Sequence, residues 1–340
     1  MAPKIPLNVI FLGTDEFSIP ILRKLIGCVQ RVRVVSAGGK RQSRRGEIPL
    51  PPAAMEANAN GLEYIKLQDG WKNFHMRPDD QLAITASFGR FVPFKILNQL
   101  PYGGINIHPS LLPKYRGAGP VYSTILNGDR LAGVTIQTMD SKQFDKGKSL
   151  AQAYLKLNGK ETYTLLTKIL SLGAAGMLEH VLLQSLYLPN CQTNTVAPQI
   201  HGRITDTGGL QLISKETFPS FQESWAKKIT PEDAHVNFES MNTQQIYNMS
   251  RAFNHVWCIL NNKKVFLYDV HPLHSTSAED WIHMKPGEFA LLEKNLLLVK
   301  TLDHVMVIKG GIRLSARKIV DPVEWGKTFN SGRGGRFQYV

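Results

Sequence analysis

Cysteine is scarce in this chain of 340 residues: Cys28, Cys191 and Cys258 are all there is. They are far apart, odd in number and form no C-x-x-C pair, which argues against a disulfide framework and against a cysteine zinc site. Long apolar runs are missing as well; none approaches the ~20 residues that span a bilayer. The first strand begins near Leu7, so the reading leaves no room for a signal or transit peptide. The expectation is a protein that stays where it is made, or a mature or trimmed form. The glycine fingerprint of dinucleotide sites is also absent, because the first strand runs into Gly13-Thr14-Asp15 rather than G-x-G-x-x-G. Finally, acid is short relative to base: 40 Lys and Arg face 27 Asp and Glu, a net charge of +13. Residues 1–190 hold 23 basic and 13 acidic side chains, net +10, and the remainder 17 and 14, net +3. Such a field favours polyanions, nucleic acid above all. The bland alternative is a basic protein from a compartment that prefers them.

What is present fits a soluble two-domain protein, with 43% apolar and 20% charged residues. Leu7–Leu12, Val32–Val35, Leu82–Ser87, Gly104–His108 and Val134–Met139 read as strands, with helices after Asp15, over Pro120–Leu126 and over Thr162–Leu186. Alternation of this kind predicts an α/β domain with a doubly wound, mostly parallel, Rossmann-like sheet over residues 1–188. Residues 189–212 are polar and aperiodic and are expected to be a linker. A helix over Thr243–Phe253 and several short apolar runs then predict a small OB-like β-barrel over residues 213–340. The tail Ser331–Arg336 is small and basic and reads as mobile.

The most informative stretch is residues 104–120, GINIHPSLLPKYRGAGP. Asn106 and His108 are two apart and project from one face of a strand that Pro109 ends. Active sites gather where strands of open parallel sheets give out. An amide N–H can steady a developing oxyanion, and an imidazole can move a proton near neutral pH. The bland alternative is a pair that satisfies backbone groups at a strand end. Asp145 follows the Val134–Met139 strand by a loop, so it can sit at a strand end of the same sheet and orient the imidazole. Ser87-Phe88-Gly89-Arg90-Phe91 follows another strand: the glycine lets a ligand approach backbone, and Phe88 and Phe91 can wall an aromatic ligand or serve the core.

These residues resemble the folate-dependent formyltransferases. Asn106-Ile107-His108-Pro109-Ser110-Leu111-Leu112-Pro113 with Tyr115-Arg116-Gly117 is similar to the family's central motif, and Phe11-Leu12-Gly13-Thr14-Asp15-Glu16-Phe17 to its opening. Arg251-Ala252-Phe253-Asn254 resembles a signature of the branch that formylates methionyl initiator tRNA. The resemblance covers about residues 7 to 320, in order. It implies 10-formyltetrahydrofolate as donor, no metal, a monomer, no membrane, and methionyl initiator tRNA as acceptor in translation initiation. It implies that Asn106 bonds the formyl oxygen, that His108 assists at the tetrahedral stage, and that Asp145 holds His108 and helps deprotonate the amine. Donor contacts are implied at Ser87, Phe88, Gly89, Phe91, Ser110, Leu111, Leu112 and Pro113, and tRNA contacts at Lys40, Arg41, Arg44, Arg45 and Arg116. Two departures stand out. One extra residue separates Met139-Asp140 from Asp145, which leaves Asp140 as the alternative acid, and Lys148 stands where an acid is common. Gln143-Phe144-Asp145 is similar to mitochondrial versions, so a mitochondrial matrix location is expected, with cytoplasm as the alternative. Other folate-dependent formyltransferases, a formyltetrahydrofolate hydrolase and a non-catalytic nucleic-acid-binding protein remain open readings.

Overall fold

The computed structural model describes residues 3–37, 49–67, 70–140, 142–189, 200–273, 283–292, 296–314, 318–327 and 334–337. The basic stretch with Lys40, Arg41, Arg44 and Arg45 lies outside them. Strand β1 (Ile5–Gly13) is an apolar run with parallel neighbours on both sides, β2 (Val29–Ser36) and β4 (Leu82–Ala86). A strand covered on both faces has no need of polar alternation, and β4 is buried throughout. The edge strand β3 (Glu63–Lys66) is only half-buried. Beyond β4 come β5 (Gly104–His108), β7 (Leu131–Thr138), β8 (Ser149–Lys156), β9 (Ile200–Ile204) and β10 (Leu210–Ile213), giving the order β10-β9-β8-β7-β5-β4-β1-β2-β3. The short strand β6 (Arg116–Gly117) pairs instead with β11 (Trp225–Ala226).

Five of the eight pairings in the large sheet are parallel; β5–β7, β7–β8 and β9–β10 are antiparallel. The expectation of a mostly parallel α/β sheet therefore holds. Apolar runs of this kind carry no mark of strand direction, so the reversal at β7 was not legible.

Helix α1 (Ser18–Cys28) buries Ile21, Leu22 and Leu25. Helices α2 (Pro52–Ala59), α3 (Phe94–Leu97) and α4 (Pro120–Leu126) follow. Helix α5 (Tyr163–Leu183) is long and apolar enough to cross a membrane by length and composition, with a mean hydropathy of 1.3, but most of it is buried. Its Gly173 lies against Ile204 and its Leu172 against Gly208, so it packs over β9 and the turn that leads to β10. That packing corrects the expected linker: residues 200–204 and 210–213 are sheet strands.

The chain divides into two units: residues 1–121, 130–157 and 164–227, and residues 122–129, 158–163 and 228–340. The second unit thus begins its main segment at Lys228 rather than at residue 213. It holds α6 (Thr243–Phe253), opened by a capping box between Asn242 and Gln245 and closed by Asn254 at φ 60°. Strands β12 (Val256–Leu260) and β13 (Lys263–Leu267) meet at Asn261-Asn262, both at positive φ, as a tight hairpin requires. With β18 (Ile312–Leu314) they make one antiparallel sheet. Strands β14 (Val270–Pro272), β15 (Glu288–Leu292), β16 (Leu296–Lys300), β17 (Val305–Ile308) and β19 (Gly334–Arg336) make the other, in the order β14-β17-β16-β15-β19. Strand β19 corrects the expected mobile tail: Gly334–Arg336 pairs with Glu288–Ala290, and Gly335 leaves the room that the Phe289 ring fills. Helix α7 (Pro322–Gly326) buries Trp325 among Phe289, Leu297 and Phe337 in the core of this unit.

Candidate active site

Strands β4, β5 and β7 lie side by side, and their registers put Thr85 beside Asn106 and Asn106 beside Gln137. Directly paired residues share a face, so three polar side chains stand in one row across three apolar strands. Thr85 Oγ1 donates to Asn106 Oδ1 at 2.6 Å, which fixes the amide with its Nδ2 turned the other way. Nδ2 donates to Asp145 Oδ1 at 3.1 Å, and Gln137 Nε2 donates to the same oxygen at 3.3 Å. The Gly117 N–H donates to Asp145 Oδ2 at 2.9 Å. His108, two residues along β5, holds Nδ1 3.5 Å from Asp145 Oδ1, with both side chains buried.

Asp145 reaches this point through the loop between β7 and β8. The loop is pinched at its base: Lys148 N donates to Thr138 Oγ1 and Thr138 N to Lys148 O. A Cβ at Gly147 would stand 1.6 Å from the Thr138 oxygen, so no other residue allows that approach. The loop folds back over the sheet face, and Asp145 sits at φ 55°, a conformation that Asp tolerates. Asp145 there meets His108, the last residue of β5, and Gln137, next to the last of β7. The alternative acid, Asp140, accepts from the N–H groups of Lys142 and Gln143, and these bonds hold its carboxyl below the usual range. It caps a turn and makes no contact with His108.

The His108 ring is anchored at its other nitrogen. Nε2 lies 2.8 Å from the Tyr115 carbonyl, and a carbonyl only accepts, so Nε2 carries a proton. Nδ1 therefore faces the Asp145 carboxylate. The loop that supplies the carbonyl is itself fixed. Thr135 Oγ1 donates to Ser110 O and accepts from Leu112 N, and Gln152 Nε2 donates to Leu112 O. Ser110 Oγ donates to Lys114 O at 2.6 Å. Ser110, Leu111 and Leu112 are buried, with Leu111 against Gly133. The structure thus places Ser110–Pro113 under the site as its scaffold, outside the cleft lining where donor contacts were expected. An SLLP motif needs apolar residues to fill that floor, which explains its composition without ligand contact.

Beside the polar row opens a cleft of about 430 Å³, within the ~300–1,000 Å³ usual for small-molecule sites. Ser87, Phe88, Gly89 and Phe91 line it, together with Asn106, His108 and Asp145. Ser87 and Gly89 both adopt positive φ, which swings the chain away after β4. A Cβ at Gly89 would meet open space. Ser87 Oγ donates to the Asp15 carboxylate; burial pushes the Asp15 pKa up, and the Ser87 bond offsets part of that rise. The Phe88 side chain is buried against Trp71, so most of its ring serves the core. Phe91 and Phe144 pack edge to face at 5.2 Å, and Phe144 is 56% exposed. Arg116, expected as a tRNA contact, lies beside the cleft and not in its lining, with its guanidinium paired to Glu223 at 3.0 Å.

Sequence reasoning missed Thr85, Gln137, Gly117 N–H, the Tyr115 carbonyl and Trp225. Thr85 and Gln137 had a signal, since each is a polar residue inside an apolar strand (LAITA and LAGVTIQT). Backbone donors and the distant Trp225 had none. Among the described residues, no group of three or more His, Cys, Asp or Glu is placed to hold a metal ion.

The family model described as Formyl transferase matches residues 34–181, and that described as Formyl transferase, C-terminal domain, matches residues 228–330. The second match begins where the second unit's main segment begins. A methionyl-tRNA formyltransferase of Lactiplantibacillus plantarum is 29% identical over 88% of this chain and 88% of its own length. Among solved structures, an N-formyltransferase from Helicobacter canadensis with folinic acid and dTDP-3-aminofucose has a TM-score of 0.55 at 16% identity, covering 89% of this chain and 98% of that one. HypX from Aquifex aeolicus with tetrahydrofolic acid has a TM-score of 0.56 at 15% identity. This chain spans 99% of its own length but about half, 51%, of HypX. These two likenesses are likenesses of fold.

Proposed function

Because the chain belongs to the formyl transferase family and is a transferase of that kind, we propose that it passes the formyl group of 10-formyltetrahydrofolate to the α-amino group of methionyl initiator tRNA, for translation initiation. The observation that carries the chemistry is the Asn106–His108–Asp145 cluster at the edge of an open cleft. The cleft fits a flat aromatic donor: Phe91 and Phe144 offer apolar faces, and the positive-φ turn at Ser87 and Gly89 gives access to backbone. The donor supplies an activated formyl carbon, and the incoming amine attacks it directly, so no side-chain nucleophile is needed.

The chain's own residues do the rest. Asn106 Nδ2 is the amide donor that a formyl oxygen meets as it gains negative charge. Its Oδ1 is held by Thr85, so the amide has one orientation. The proton leaving the attacking amine goes to His108 Nδ1; as the tetrahedral stage collapses, the bond from the formyl carbon to the donor nitrogen breaks and that nitrogen leaves with the proton. The imidazolium so formed lies between the Tyr115 carbonyl and the Asp145 carboxylate, both of which favour it. Asp145 is fixed by Asn106, Gln137 and Gly117, so it positions His108 and balances its charge rather than wandering into solvent.

We assign the acceptor to tRNA on the relatives of like length and on the net charge of +13. Lys40, Arg41, Arg44 and Arg45 would contact the acceptor end. A monomer and a mitochondrial matrix location belong to the same proposal, the second supported by charge and by Gln143-Phe144-Asp145. The test is transfer of labelled formyl from 10-formyltetrahydrofolate to charged methionyl-tRNA, with uncharged tRNA as control. Label on the aminoacyl group is expected. Free formate with no labelled tRNA would instead make the protein a hydrolase.

A further inference from the structure

One large apolar side chain at the cleft has no part in the chemistry above. Trp225 lines the cleft and is 63% exposed. Its backbone is not loose. It sits in β11, in register with Arg116 of β6, and Arg116 N donates to Ser224 O and Ala118 N to Ala226 O. Ser224 is tied in turn, its Oγ accepting from Tyr115 N and its N–H donating to Pro113 O. A ring so mounted is presented, and exposure of that much indole to water costs free energy unless something covers it in use.

The neighbours say what that something is. The ring lies against Gly117, where a Cβ would stand 3.8 Å from it, and the Gly117 N–H holds Asp145. One residue thus separates the indole from the carboxylate of the reacting cluster. On the same edge, Arg116 Nη1 and Lys146 Nζ both converge on a single oxygen, Glu223 Oε1, at 3.0 and 2.6 Å. Two cations share one carboxylate, so the edge keeps a net positive charge. Glu223 meets only part of the guanidinium's capacity, since Arg116 Nε is buried without a hydrogen-bond partner. An exposed aromatic ring beside paired cations is the arrangement that takes a nucleobase on the ring and its phosphate on the charges.

We infer that Trp225, Arg116 and Lys146 form a subsite for the single-stranded 3′ end of the acceptor RNA, with the terminal base stacked on Trp225 and a backbone phosphate replacing Glu223 between the two cations. Glu223 is then a stand-in that keeps the cations apart and aimed in the free protein. The subsite deepens the acceptor assignment proposed above and rests on it. It also explains why the carboxylate partner is exposed and half free to leave, its side chain being 49% exposed.

The experiment is equilibrium binding of a 5′-labelled CpCpA trinucleotide to the full-length chain, with Trp225→Ala, Trp225→Phe and Glu223→Gln beside the native sequence. Stacking of this kind predicts a loss of about ten-fold or more for Trp225→Ala, and retention within about three-fold for Trp225→Phe. Glu223→Gln removes the competing carboxylate, so it binds CpCpA more tightly and with a steeper dependence on salt. With methionyl-tRNA, Trp225→Ala raises the acceptor KM and leaves kcat close to native. Equal affinity of the native and Trp225→Ala proteins for CpCpA would overturn the stacking role. Weaker binding by Glu223→Gln would overturn the phosphate role. Equal affinity for CpCpA and for free dTMP would overturn the RNA tail and point to a lone nucleotide. A native protein that fails to formylate methionyl-tRNA yet binds CpCpA through Trp225 would sink the acceptor reading and leave the subsite standing.

Discussion

Two carboxylates, one in each unit, satisfy the same hydrogen-bonding rule and do different things. Asp145 accepts from Asn106, Gln137 and Gly117. Asp303 accepts from Thr243 N, Thr243 Oγ1, Thr301 Oγ1 and His304 N. Counted by bonds alone, Asp303 is the better held. Yet Asp303 bonds only groups that begin a helix and close a turn, and a hydroxyl pair, Thr243 and Thr301, completes the knot. Asp145 has a titratable ring at 3.5 Å and a cleft of about 430 Å³ at its side. A dense polar network therefore does not mark a site. What marks it is a network left open on one side, next to a group that can change its charge.

The comparison breaks most sharply at Asp145. Asp145→Asn keeps size and keeps a residue that tolerates φ 55°. The amide oxygen can accept fewer of the three donors, so stability falls by about 1 kcal/mol. Formyl transfer, by contrast, is expected to fall about 10²- to 10⁴-fold in kcat, because a neutral amide no longer balances the imidazolium. Parallel measurement of kcat and of thermal unfolding separates the two. A fall in kcat below ten-fold would return Asp145 to the class of Asp303.

How far the sequence shows this difference depends on what each residue must do locally. Asn106 and His108 were legible because the period of a strand puts them on one face, and Pro109 marks the strand's end. The α4 and α6 bounds were legible because apolar spacing and caps state them. Asp145 was legible as the first candidate, with Asp140 the fallback because of one extra residue in the loop; the Gly147 approach to Thr138, which brings Asp145 to His108, is a tertiary contact. The row Thr85–Asn106–Gln137 depends on register across three strands, which no local pattern encodes. Residues 200–212 read as a linker because His201, Gly202 and Arg203 break up the apolar run of β9 and β10 is only four residues long. Ser110–Pro113 were misread in the other sense: a motif that looks like ligand contact is the floor under the imidazole.

A smaller effect is expected where the second unit carries its own buried charge. Arg251, in α6, donates from Nη1 to Glu161 O and from Nη2 to Asn248 Oδ1, with its guanidinium over the Tyr247 ring at 5.1 Å. Asn248 Nδ2 reaches Leu126 O, so this one helix ties both sequence-distant pieces of its unit to the main segment. Arg251→Ala leaves the buried Glu161 carbonyl unpaired, while Asn248 Oδ1 keeps its bond from Gln244 Nε2, and is expected to destabilise by about 1–3 kcal/mol. Denaturant unfolding measures it. Donor binding, which we propose for the cleft of the other unit, is expected to stay native in the folded fraction. A midpoint within error of the native protein would show that the network is replaceable, as a solvated one would be.

The smallest effect sharpens the comparison by pH. Desolvation pulls the Asp303 carboxyl up, but the bonds from Thr243 and Thr301 outweigh it and bring its pKa from the ordinary 3.8 down to about 2. A depressed carboxylate stabilises the fold above its unfolded value and loses that contribution as pH falls through the folded one. The window is therefore about pH 4 down to about pH 2, and near neutral pH the contribution is complete. The side chain is largely open to water, so screening cuts the contribution to about 1 kcal/mol. Asp303→Asn should cost that much at pH 7 and should make unfolding less sensitive to acid between pH 4 and pH 2, with formyl transfer unaltered. Should the variant and the native protein keep a constant difference across that window, the Thr243 and Thr301 bonds hold a position rather than a charge. The contrast with Asp145 would then rest on the open cleft and the imidazole alone.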